Sequence, residues 1–183
     1  MRVVLPTAAD TYAFGRQLAV VLRAGDLLVL SGPLGAGKTA LTQGIGAGLV
    51  VEGQVVSPTF VIARVHPGGR LPLVHVDAYR LGSLDEVDDM DLDVSMADSV
   101  TVVEWGAGLV EQLSEAHLEV KIDRSAESEV REVELVPVGG DWPDRVAGLN
   151  VAFAAAMEAA VVDPAVKDPA VAEPAVKDPA GQR

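Results

Sequence analysis

Nine residues, Ser31-Gly32-Pro33-Leu34-Gly35-Ala36-Gly37-Lys38-Thr39, restrict this 183-residue chain more than any other stretch. They fit G-x-x-x-x-G-K-[ST], the pattern of a phosphate-binding loop. An apolar run, Leu27-Leu28-Val29-Leu30, comes directly before them. Directly after, the spacing of Ala40, Leu41, Ile45 and Leu49 predicts a helix from Lys38 to Leu49. A glycine loop between a buried strand and a helix is the context in which this motif binds phosphate. An incidental glycine-rich turn is the plainer alternative.

The residue types carry the chemistry. Glycines at 32, 35 and 37 let successive backbone N–H groups converge on phosphate oxygens, with Pro33, Leu34 and Ala36 completing the loop. The N-terminus of the following helix adds about half a positive charge. Lys38 is expected to place its ammonium between the β- and γ-phosphates, and the Thr39 hydroxyl to ligate Mg²⁺. The loop alone does not say which reaction follows.

Composition narrows the setting. Hydrophobic residues make up 49% and aromatic ones 4%, which predicts an aliphatic core of Val, Leu and Ala. With no apolar run of membrane-spanning length, no export signal and no cysteine, the chain reads as a cytoplasmic protein without disulfides, thiol catalysis or Cys-ligated zinc. A net charge of −13 argues against binding RNA or DNA unaided. His66, His75 and His117 are isolated in sequence and read as ordinary strand or loop positions.

The order of elements predicts one domain over residues 1–149. Arg2 to Leu5 forms a short strand. Thr7-Ala8-Ala9-Asp10 resembles a capping box opening a helix to about Arg23, with Ala13, Leu18, Val21 and Leu22 buried. Val55 to Val65 predicts a strand broken at Pro58, and Pro67-Gly68-Gly69 turns it into a second strand over Leu71 to Asp77. So short a link makes that pair antiparallel, so the sheet is mixed. Leu84 to Met90 predicts a short helix with a solvated acidic face, Ser99 to Glu104 a buried strand, and Leu109 to Leu113 a short helix. Leu118 to Ile122 and Val130 to Val136 close the sheet as antiparallel neighbours, and Trp142 to Leu149 is an amphipathic helix. The predicted class is α/β, a three-layer P-loop-type fold around a mixed parallel and antiparallel sheet. Residues 150–183 form a separate extension, helical at first. It continues into a disordered tail in which Asp163-Pro164, Asp168-Pro169, Glu173-Pro174 and Asp178-Pro179 recur every five residues.

A phosphate loop needs a carboxylate near Mg²⁺, usually at the end of a neighbouring apolar strand. Asp77 ends Leu73-Val74-His75-Val76, and Glu104 ends Val100-Thr101-Val102-Val103. One would hold the metal while the other polarises the attacking water; the sequence leaves open which, and an acid capping the next turn is the plainer alternative. Ser57-Pro58-Thr59-Phe60 reads equally as a γ-phosphate sensor or as turn chemistry at the start of a strand. Tyr79-Arg80 offers a guanidinium to phosphate or to a partner, and Trp105 reads equally as packing or as a nucleotide or partner contact. The Asn-Lys-x-Asp motif that reads guanine is absent, since Asn150 is the only asparagine. There is little room for a lid or acceptor module, which weakens a small-molecule kinase without removing it. A nucleotide-binding module without turnover also stays open.

The motifs together resemble one family, the bacterial TsaE ATPases of tRNA threonylcarbamoyladenosine synthesis. The resemblance rests on Gly32 to Thr39, Val56-Ser57-Pro58-Thr59-Phe60, His75-Val76-Asp77-Ala78-Tyr79-Arg80-Leu81 and Val103-Glu104-Trp105, and spans about Pro6 to Val138. Gly106 stands where the family often has proline, and the pentapeptide tail falls outside the shared pattern. The resemblance implies an ATPase weak on its own that supports TsaD and TsaB type partners, with tRNA met only through their complex. It further implies that Lys38 and Thr39 hold phosphate and Mg²⁺, that Asp77 belongs to the metal site, and that Glu104 is the hydrolytic acid/base. Ser57 and Thr59 would form a switch-like segment.

Overall fold

Near-continuous aliphatic runs in three strands demand cover on both faces, and that requirement sets the architecture. A computed structural model of the chain describes residues 1–58, 62–80, 96–108, 114–125 and 128–149. Its strands are β1 (Arg2–Leu5), β2 (Leu27–Ser31), β3 (Ala63–His66), β4 (Leu73–Asp77), β5 (Val100–Glu104), β6 (His117–Arg124) and β7 (Arg131–Val138). They form one seven-stranded sheet in the order β1-β7-β6-β2-β5-β4-β3. The central pairs β6–β2, β2–β5 and β5–β4 are parallel. The pairs β1–β7, β7–β6 and β3–β4 are antiparallel. The sheet is mixed, as the short Pro67-Gly68-Gly69 link requires.

Alternation sorts each central strand onto two cores. Leu28, Leu30, Leu73, Val100 and Val102 pack with the helices α1 (Ala8–Leu18) and α2 (Lys38–Leu49) through Phe14, Leu18, Leu41, Ile45 and Leu49. Leu27, Val29, Val74, Val76 and Val103 form a smaller cluster with Ala78 and Met96. The two helices approach until their backbones touch. A Cβ on Gly44 would lie 2.1 Å from the Tyr12 carbonyl oxygen, and one on Gly15 would lie 2.3 Å from that of Leu41. Glycine within a helix costs roughly 0.5–1 kcal/mol relative to alanine, so these positions trade helix propensity for close packing.

The α1 N-terminus is the predicted capping box: the Asp10 N–H donates to Thr7 Oγ1 at 3.2 Å, and the Thr7 N–H donates to Asp10 Oδ2 at 2.9 Å. The rest of α1 departs from expectation. It stops at Leu18, and a 3₁₀ turn carries the chain to Val21 rather than Arg23. Ala13 is exposed and Val21 only half-buried, while Thr11, Phe14, Gly15 and Leu18 face inward. Phe14 sets that face because it has the largest apolar area to remove from water.

The strand expected over Val55 to Val65 is shorter. Residues 55–58 are not strand, and among the described residues the strand is Ala63–His66. Pro58 has no N–H for a ladder, and Ile62 takes a φ of 66°, which extended pairing does not allow. Its partner starts at Leu73, after Pro72, and β5 starts one residue after Ser99. Residues 142–149 are helical, as predicted (α3). The helices expected at 84–90 and 109–113, and the extension 150–183, lie outside the described residues. No helix among the described residues is long and apolar enough to cross a membrane.

Candidate functional site

The C-terminal ends of the parallel strands converge on the glycine loop. The register pairs Leu30 of β2 with Glu104 of β5, and Glu104 in turn with Asp77 of β4. Both acids therefore finish their strands level with the start of the loop, on the same face as α2. The loop then turns through conformations in which glycine is required. Gly32 has a φ of 143°, and a Cβ there would lie 2.1 Å from the Ile122 carbonyl oxygen. Gly37 caps α2 with a φ of 114°.

A cleft of about 690 Å³ opens here, lined by Leu34, Gly35, Gly37, Lys38, Thr39, Ala40, Ser57, Asp77, Tyr79, Glu104, Trp105 and Arg131. Most of the residues singled out in the sequence thus share one wall. Gly32 and Pro33 instead line a neighbouring groove, and Ala36 is buried in the core. Thr59 and the Arg80 side chain lie outside the described residues.

Lys38 is 4% exposed and its Nζ donates to the carbonyls of Gly32 at 2.8 Å and Pro33 at 3.0 Å. The same Nζ lies 3.7 Å from the centre of the Trp105 ring, within cation–π range. Burial pushes its pKa below the usual lysine value, while the Glu104 and Asp77 carboxylates act in the opposite direction. Trp105 holds a φ of 64°, its backbone N–H donates to the Leu30 carbonyl at 3.1 Å, and its ring meets Tyr79 edge-on at 5.3 Å. A bulky residue at positive φ is strained, so the fold pays to keep this indole against the lysine.

Glu104 is buried, and its Oε1 accepts from Thr39 Oγ1 at 3.0 Å. His75 Nε2 lies 2.9 Å from the same oxygen. Asp77 is half-buried, its Oδ1 accepting from the Tyr79 N–H at 3.1 Å. The hydroxyl and two carboxylates are hard oxygen donors, the set that Mg²⁺ takes when substrate phosphates and water fill its remaining positions. The residues fit that ion.

Sequence reasoning missed three residues. His75, read as an ordinary strand position, braces Glu104; its signal was the His-x-Asp alternation, which puts it on the face of Asp77. Arg131 lines the cleft, and Arg124 Nη1 donates to the Gly35 carbonyl at 3.3 Å. No local pattern marks either arginine, because both arrive from strands distant in sequence from the loop.

Seen along its parallel strands, the molecule is an α/β protein of the P-loop type. Residues 5–133 match the family described as "Threonylcarbamoyl adenosine biosynthesis protein TsaE". The chain belongs to the TsaE family. A Streptomyces coelicolor relative, named tRNA threonylcarbamoyladenosine biosynthesis protein TsaE, is 62% identical over 134 residues, covering 70% of this chain and 90% of its own. Proteins of the same name from Mycobacterium tuberculosis and Bacillus subtilis are 49% and 40% identical, covering 69% and 73% of this chain and 81% and 83% of theirs. The crystal structure of Bacillus subtilis YdiB superposes with a TM-score of 0.69 at 31% identity, covering 84% of this chain and 95% of that one.

Proposed function

We propose that the chain binds Mg-ATP in this cleft and hydrolyses it, weakly when alone, as an accessory ATPase of tRNA threonylcarbamoyladenosine formation. The observation that carries the proposal is the bond from Thr39 to Glu104 beside Lys38, at the mouth of a glycine loop. It groups a buried lysine, a hydroxyl and a buried carboxylate in one space, which supports roles in binding phosphate and metal. The names of the relatives support the pathway.

In this reading the loop N–H groups and Lys38 bind the phosphates, and Lys38 exchanges its carbonyl partners Gly32 and Pro33 for phosphate oxygens. Thr39 and Asp77 would hold Mg²⁺, with Glu104 beside them, and the ion would neutralise phosphate charge. Glu104 orients the attacking water and takes its proton as the water adds to the γ-phosphorus and the β–γ bridge bond breaks. His75 keeps the Glu104 carboxylate aimed, and Ser57 faces the same space. The protein works in the cytoplasm with TsaD and TsaB type partners, which hold the tRNA, in keeping with its own net charge of −13.

The test is incubation of the chain with Mg-ATP, the two partners and tRNA. Free phosphate is the expected product; phosphate transferred to an acceptor would make the protein a kinase instead. Glu104→Ala and Asp77→Ala should each still bind ATP while hydrolysis falls by about 10²-fold or more. Unchanged turnover in both would remove the assignment.

A further inference from the structure

Arg131 opens β7, which runs antiparallel to β6, and its register partner is Arg124 at the end of β6. Strand β6 lies parallel to β2 with Lys121 opposite Ser31, so Arg124 and Arg131 stand beyond the end of β2, level with the glycine loop. In the sheet order Asp77 and Glu104 lie on one side of β2, and β6 and β7 on the other. The loop is therefore flanked by acids on one side and by guanidinium groups on the other.

Arg131 is only 4% exposed, yet it lines the cleft. One end of its guanidinium is tied down: Nη1 donates to the Glu129 carbonyl and lies 3.4 Å from Glu129 Oε2. Its buried Nε has no hydrogen-bond partner among the described residues. That atom lies 3.6 Å from where a Cβ on Gly37 would stand, at the N-terminus of α2. A buried N–H without an acceptor is costly, and this one lies beside a helix N-terminus, where an anion is favoured. Glu129 also pairs with Arg124 at 2.5 Å, so one exposed carboxylate holds both guanidinium groups.

We propose that Arg131 binds the nucleotide through its Nε–H, contacting a phosphate that ATP and ADP share rather than the terminal one. The proposal rests on the cleft being an ATP site. The terminal phosphate belongs on the side of Lys38, Asp77 and Glu104; the chain of phosphates then extends past Gly37 toward β7. Glu129 offsets the guanidinium charge.

Calorimetric titration of the full chain with Mg-ATP and Mg-ADP tests this. Arg131→Gln should weaken both nucleotides by a similar factor, about tenfold or more, and raise KM far more than it lowers kcat. Weakening of ATP alone would place the contact at the terminal phosphate, and weakening of neither would remove it; either result overturns the proposal. If Arg131→Gln does not fold, Arg131→Lys decides, because it keeps the charge and lacks the Nε–H. It should weaken both nucleotides by a similar factor, about threefold or more, and unchanged binding overturns the proposal. A wild-type chain that binds neither nucleotide refutes the ATP reading and this proposal together. Wild-type binding matched by Arg131→Gln refutes only the role of Arg131.

Discussion

Asp26 and Glu104 are both buried carboxylates beside central strands, but they are held in opposite ways. Asp26 precedes β2, at the opposite end of that strand from the cleft. Its two oxygens accept from both terminal nitrogens of Arg145, each at 2.8 Å, and Oδ2 also accepts from the Arg23 N–H at 2.7 Å. Arg145 in turn stacks 3.6 Å over Trp142, so the ion pair joins α3 to the sheet. Glu104 has a hydroxyl and an imidazole, both on Oε1. One carboxylate is saturated by a fork-shaped cation, which suits a structural tie. The other is held on one oxygen by a hydroxyl and an imidazole, with no guanidinium fork across it, which suits the role proposed for it.

The largest expected effect comes from breaking the saturated pair. Arg145→Ala leaves Asp26 buried without its cation and removes the packing on Trp142, which should cost about 3–5 kcal/mol in urea unfolding. ATP turnover per folded molecule should not change. Glu104→Gln sharpens the contrast from the other side. It keeps the shape and one acceptor oxygen, so stability should move by less than about 1 kcal/mol while hydrolysis falls by about 10²-fold or more. A loss of stability as large as that of Arg145→Ala would make Glu104 a structural tie as well.

The smallest effect lies in pH dependence on the Glu104 side of the sheet. Burial, then the nearby charges of His75 and Arg64, lower the pKa of His66. The unfolded chain therefore takes up this proton near pH 6.5, before the folded protein does. Stability should fall as pH drops from that point toward the lower folded value. His66→Asn should flatten this part of a stability–pH curve; an unchanged slope would show that His66 does not set it.

Lys38 and Thr39 were readable because a strand, glycine loop and helix form from neighbouring residues with restricted φ and ψ. Asp77 and Glu104 were readable because each ends an apolar run. The interior face of α1 was misjudged at Ala13, since periodicity in a short helix allows more than one apolar stripe and the largest side chain chose among them. The Val55–Val65 strand was overextended because apolar residues near Pro58 suggest pairing that only a neighbouring strand can accept or refuse.

By itself, then, the sequence determined the local pieces: the loop, the cap of α1, the strands that end in acids and the antiparallel turn at Pro67-Gly68-Gly69. These depend on contacts a few residues apart. The tertiary structure alone decided which pieces meet. Strand order placed Glu104 against Thr39, turned His75 onto Glu104, and brought Arg131 from more than ninety residues away to the other side of the loop. The physical reason is that strand pairing and the burial of both sheet faces are long-range, and no local pattern encodes which strand will lie next to which.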